Sequence, residues 1–122
     1  MSGYTHIKKP TQIPTFGGKI IEELVGRVNS DSADLSVAHM KSPPGWSEPP
    51  QTPDFLEITV MVRGKLRVDL PDGPIDLAAG EVIRVEPGVR VRYSNPFTED
   101  NEYYAICLPA FSIDTVHRDE DG

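Results

Sequence analysis

Apolar residues along this chain recur with the period of strands. Residues 34–41, DLSVAHMK, set Leu35, Val37 and His39 against Ser36, Ala38 and Met40, the alternation of a strand with one face half buried. FLEITVMV at 55–62 is rich in β-branched residues and runs into Arg63-Gly64; LRVDL at 66–70 runs into Pro71-Asp72-Gly73-Pro74. Both read as strands closed by turns. IDL (75–77), a turn at Ala79-Gly80, EVIRV (81–85), Glu86-Pro87-Gly88, VRVRYSN (89–95) and YYAICL (103–108) keep the same rhythm. Short strands with turn residues at intervals of about 8–12 predict a sandwich or barrel. KIIEELVGRV, from Lys19 to Val28, fits a short amphipathic helix or a strand, with strand preferred, and the polar NSDSAD ends it. Residues 1–16, polar and carrying Pro10 and Pro14, read as a flexible extended arm.

Composition narrows the class. A chain of 122 residues with 38% hydrophobic content is the size of one domain with one core. Pro43, Pro44, Pro49, Pro50 and Pro53 fall close together, and proline lacks the donor that helices and central strands need, so an all-helical bundle is excluded. Cys107 is the single cysteine and cannot close an internal disulfide. The net charge of −7 repels phosphate backbones, and no basic stripe is visible beyond Arg84, Arg90 and Arg92, so nucleic acid is not an expected partner. No apolar run approaches the ~20 residues of a membrane span, and residues 1–16 lack the apolar stretch of a secretory signal. The expectation is a cytoplasmic protein without membrane attachment.

Two glycine-framed segments are more specific than the strand rhythm. Residues 45–64, GWSEPPQTPDFLEITVMVRG, carry Gly45, Glu57 and Gly64 at the spacing G-x5-H-x-H-x3-E-x6-G; residues 80–95, GEVIRVEPGVRVRYSN, carry Gly80, Gly88 and Asn95 at the spacing G-x5-P-x-G-x2-H-x3-N. On these anchors the chain resembles the cupin superfamily over about residues 34–110, and CLPAFSIDTVHRDE is similar to the tail of small bacterial cupins loosely called ethanolamine-utilisation-like. The resemblance implies an all-β fold: a single-domain, RmlC-like jelly-roll barrel over residues 17–113, with the arm 1–16 before it and an acidic tail, 114–122, after it. It also implies a homodimer built through exchanged strands or sheet faces, with residues 16–28 able to supply such a strand.

The departures from the family pattern bear on function. Metal-binding cupins hold their ion with two histidines and the glutamate of the first motif and the histidine of the second; those positions here are Gln51, Pro53, Glu57 and Val91. One carboxylate and one amide fall short of the three protein ligands usual for a catalytic zinc. No cofactor is therefore expected. The alternative is a divalent transition metal on a non-standard set drawn from Glu48, Glu57, His39 and His117, serving a dioxygenase or isomerase type of enzyme.

Glu57 is placed by the motif on the inward face with Thr59 and Met61. A carboxylate inside an apolar barrel must be hydrogen-bonded or hold its proton more tightly, which suits acid–base work on a bound small molecule. Gln51, Thr59, Val91, Tyr93, Tyr103 and Trp46 are its expected ligand-binding neighbours. Whether Tyr103, Ala105 and Cys107 or Tyr104, Ile106 and Leu108 face inward is open from sequence. So is a third reading, a barrel filled by its own side chains that acts only as a structural partner domain.

Overall fold

A computed structural model describes residues 3–119. Nine strands run through it: β1 (Thr11–Ile13), β2 (Ile20–Val25), β3 (Ser36–Ser42), β4 (Leu56–Arg63), β5 (Lys65–Leu70), β6 (Gly73–Ala78), β7 (Val82–Val85), β8 (Arg92–Ser94) and β9 (Asn101–Leu108), with no helix among the described residues. They form two antiparallel sheets, one in the order β1-β2-β3-β9-β4-β7 and one in the order β6-β5-β8. The fold is all-β, with two antiparallel sheets, as the resemblance implies.

Alternation decides what the barrel holds. On β4, Glu57, Thr59 and Met61 point inward while Ile58 and Val60 stay half exposed; on β9, Asn101, Tyr103, Ala105 and Cys107 point inward. Pairing of Glu57 with Cys107, Thr59 with Ala105 and Met61 with Tyr103 sets these inward residues side by side. The question left open by the sequence at 103–108 is thus answered by register. Met61, Leu66, Val68, Leu77, Val85, Val91, Tyr93 and Tyr103 make one core between the sheets, and burying each large apolar side chain contributes roughly 1.5–3 kcal/mol.

The glycine anchors earn their positions through backbone geometry. Gly64 alone connects β4 to β5 at φ +73°, and a Cβ there would lie 2.7 Å from the Asp100 carbonyl oxygen. Gly45, at φ +85°, donates its N–H to the Asn95 carbonyl at 2.7 Å, while the Asn95 N–H returns to the Trp46 carbonyl at 2.7 Å. The first anchor of one motif is thereby fastened to the last anchor of the other.

Three segments differ from the sequence reading. Part of the supposed arm is β1, paired with β2 from Thr11↔Glu23 to Ile13↔Ile21 and held by Asn29, whose amide donates to the Lys9 carbonyl (3.1 Å) and Thr11 Oγ1 (3.0 Å). Three residues between two prolines are too short for periodicity to reveal. The strand expected over 89–95 shrinks to Arg92–Ser94, because Val91 is engaged instead by Gln51 through reciprocal backbone bonds of 2.8 and 2.9 Å. The expected tail is not all loose: Thr115 and His117 carbonyls accept from the Asp54 and Thr52 N–H groups, Asp119 donates to the Pro50 carbonyl, and Val116 is buried. Residues 120–122 of that tail lie outside the described residues.

Candidate functional site

The barrel interior holds a polar cluster beside its apolar core. Glu57, buried on β4, accepts a hydrogen bond from Tyr93 Oη at 2.9 Å and a weak one from Cys107 Sγ at 3.9 Å. Burial pushes its pKa up; the Tyr93 bond and the Lys19 charge oppose this and do not cancel it. Tyr93 is raised well above the ordinary phenol value by burial and by the adjacent carboxylate, and Cys107 is raised for the same reasons. A buried thiol held in its neutral form is a packing residue and a weak donor, not a nucleophile.

A second half of the cluster centres on Lys19, immediately before β2. Its side chain is buried, with Nζ donating to Ser42 Oγ at 3.1 Å and to the Tyr103 hydroxyl, and standing 3.8 Å from the centroid of the Trp46 ring. Burial pulls Lys19 down to about 7 and pushes Glu48 up to about 7, each effect opposed by the attraction between the two. Arg118, at the far end of the chain, reaches to 3.9 Å from Glu48 and contributes positive charge to the same region. The interior thus joins two carboxyl groups, a buried lysine and two tyrosines, with the exposed Arg118 at its edge.

The expected neighbours divide as follows. Glu57, Thr59, Tyr93 and Tyr103 project into the interior; Trp46 is a half-buried rim residue over Lys19; Val91 is a buried wall. Gln51 is held by backbone bridges to Val91 and Arg118, and its side-chain oxygen is buried with no hydrogen-bond partner among the described residues. Glu48 joins the interior, with 17% of its side chain exposed. Neither histidine does. His39 points outward from β3, since its neighbours Ala38 and Met40 take the inward side, and its ring is clamped between Glu22 (3.2 Å) and Glu102 (2.6 Å). His117 pairs with Asp54 at 2.7 Å on the exterior. The alternative metal set of Glu48, Glu57, His39 and His117 is therefore not assembled. Among the described residues, no three His, Cys, Asp or Glu side chains converge as metal ligands. The donor set does not fit the family's ion.

Lys19 and Ser42 were not legible as interior groups, nor Arg118 as a residue of their edge. Lys19 precedes an apolar run whose strand register alone gives no inward direction, and Arg118 arrives only because residues 115–119 pair with 50–54. Arg90, by contrast, pairs with Asp119 at 2.5 Å on the outside. Among the described residues, a cleft of about 330 Å³ is lined by Pro50, Leu70, Pro71, Arg90, Val91 and Arg92, and another of about 430 Å³ by Ile7, Pro10 and Leu24; Glu57 lines neither. No helix among the described residues is long and apolar enough to cross a membrane.

Comparison with known proteins agrees with this architecture. The chain is 38% identical over 113 residues to a Myxococcus xanthus protein named Endoribonuclease YbeY, an alignment that covers 93% of this chain and 38% of that protein's length. Among solved structures, a uridine-bound PAC13 variant from Streptomyces is similar with a TM-score of 0.71 at 13% identity, covering 94% of this chain and 88% of that one. The polyketide cyclase RemF from Streptomyces resistomycificus is similar with a TM-score of 0.70 at 14% identity, covering 88% and 80%. Likeness at such identities speaks for the fold alone. The cupin domain profile itself matches residues 38–107, from β3 through the inward face of β9 that carries Tyr103 and Cys107, and the chain belongs to the cupin family.

Proposed function

We propose that this barrel binds a small organic molecule without a resident metal, and that Glu57 is the group that exchanges a proton with it. The observation that carries the reading is the Glu57 carboxyl itself: it is buried on the inward face, raised in pKa by that burial, and bonded to Tyr93 at 2.9 Å. A carboxyl made to hold its proton toward neutral pH serves as general acid when protonated and as general base when not. Tyr93 donates to the ionised form, and Thr59, Tyr103 and Gln51 offer further polar contacts to a ligand. The unpartnered Gln51 oxygen is an acceptor available to a ligand donor. Structures of the same fold with uridine and with a polyketide cyclase activity support a small organic ligand as the class.

The same reading includes a homodimer, supported by the outer face of the larger sheet, where Val62, Val82 and Leu108 are exposed and Ile58, Val60 and Ile106 half exposed. Ribonuclease activity is not carried over from the Myxococcus protein, because the chain spans 38% of its length and its own net charge is −7. A thermal-shift screen with nucleosides, hydroxy acids and monosaccharides tests the assignment. At least one compound should raise the midpoint of the wild type, with the shift lost in Glu57→Gln and kept in the exterior variant Arg84→Gln. Equal shifts in wild type and Glu57→Gln, or no shift from any compound, would contradict it.

A further inference from the structure

The histidine positions of the two motifs carry Gln51, Pro53 and Val91, yet the interior still holds two carboxyl groups, Glu48 and Glu57, whose ionised forms call for a positive counterpart. The question is which group supplies it. Arg118 stands at the edge of the cluster, 3.9 Å from Glu48 and 38% exposed in its side chain. Lys19 is different. The residue is 6% exposed, its ammonium is fixed by Ser42, Tyr103 and the Trp46 ring, and its charge opposes the upward pKa shifts of both Glu48 and Glu57. A lysine stem is not buried without compensation, and a charge placed this deep persists only when partners of opposite sign or hydrogen-bond acceptors surround it.

We propose that the Lys19 ammonium is the resident cation of this barrel, filling electrostatically the role a metal ion takes in cupins that keep their histidines, and presenting an N–H donor to the oxygen of a ligand opposite Glu57. This rests on the metal-independent reading above and adds a recognition element to it: an electropositive centre framed by Tyr103 and Trp46, in the same barrel interior as the Glu57 carboxyl. The ligand class it favours carries a carbonyl or carboxylate oxygen, which accepts from the ammonium, close to an atom that Glu57 can protonate or deprotonate. Because Lys19 arrives on the segment before β2, the first strands of the chain complete the site rather than merely extend the sheet.

The test is chemical rescue. In Lys19→Ala the carboxylates lose their cation and a void replaces the stem, so the midpoint of thermal unfolding at pH 7 should fall by about 5 °C or more. Methylammonium chloride should restore part of that loss with a saturable dependence, whereas sodium chloride at the same ionic strength should not, and the wild type should respond to neither. In Lys19→Ala/Glu57→Gln the rescue should weaken. Should Lys19→Ala fail to fold, Lys19→Met keeps the stem and removes only the charge, and must still be less stable than wild type. A Lys19→Met midpoint equal to or above that of wild type, or a Lys19→Ala loss indifferent to methylammonium, would overturn the proposal. Neither result would touch the assignment of Glu57, which the ligand screen tests separately.

Discussion

Phe55→Ala should destabilise the protein by about 3–5 kcal/mol, the usual cost of emptying a fully buried phenylalanine site. Phe55 is 1% exposed and lies just before β4, in a small second core with Cys107 and Val116, with the Phe111 ring centroid at 5.8 Å. This core is what ties the C-terminal segment to the barrel. Its loss should release residues 115–119 from 50–54, and with them Arg118 from the neighbourhood of Glu48. Equilibrium denaturant unfolding measures the first effect, and amide hydrogen exchange at Thr52 and Asp54, whose N–H groups donate to the His117 and Thr115 carbonyls, measures the second. A loss below about 1 kcal/mol with exchange unchanged would mean that the segment is held elsewhere.

Asn95→Ala is the second large effect. Asn95 is fully buried, and its side chain donates to the Ser42 carbonyl at 3.1 Å and the Glu99 carbonyl at 2.9 Å while accepting from the Phe97 N–H at 3.1 Å. Each buried partner left unsatisfied costs about 1–3 kcal/mol, so a total near 3 kcal/mol is expected. Asn95→Asp should not rescue, because it removes the two donors and places a charge where none is compensated. The effect reaches the site: Ser42, whose carbonyl Asn95 holds, also accepts from Lys19 through its hydroxyl. Unfolding curves of both variants check the magnitude, and a cost under about 1 kcal/mol for Asn95→Ala would show that water replaces the lost partners.

These two residues also show what was legible in the sequence. Asn95 stood out as an anchor with Gly45, Gly64, Gly80 and Gly88 through the spacing shared with the cupin motifs, and the structure gives each a positive φ or a buried hydrogen-bonding role that few other residues meet. Such requirements leave a local signature. The motif resemblance put Glu57 on the inward face, and strand alternation put Thr59 and Met61 there with it. The pairing partners were not legible, since the choice between Tyr103 and Tyr104 as the inward residue depends on the register of β9 against β3 and β4, a long-range fact. For the same reason His39 was a possible ligand by residue type alone, until β2 and β9 brought Glu22 and Glu102 to its two ring nitrogens on the outer face. Lys19 reaches the interior, and Arg118 its exposed edge beside Glu48, only through tertiary pairing of the segments that carry them.

The proline cluster takes on a definite role in this setting. Pro50 and Pro53 flank Gln51, whose backbone bridges Val91 on one side and Arg118 on the other. Proline fixes the backbone through this stretch, so the segment that carries two histidines in metal-binding cupins is here a rigid lip, with an amide and a proline ring at the ligand positions. The positive charge of the interior then comes from elsewhere, from Lys19, with Arg118 exposed beside Glu48 at its edge.

Elemental analysis of the wild-type protein purified without chelator, alongside Glu57→Gln, decides whether this cupin interior works without a metal. Iron, nickel, manganese and zinc should all lie far below one equivalent per chain in both proteins. One equivalent of any of these in the wild type, lost in Glu57→Gln, would contradict it.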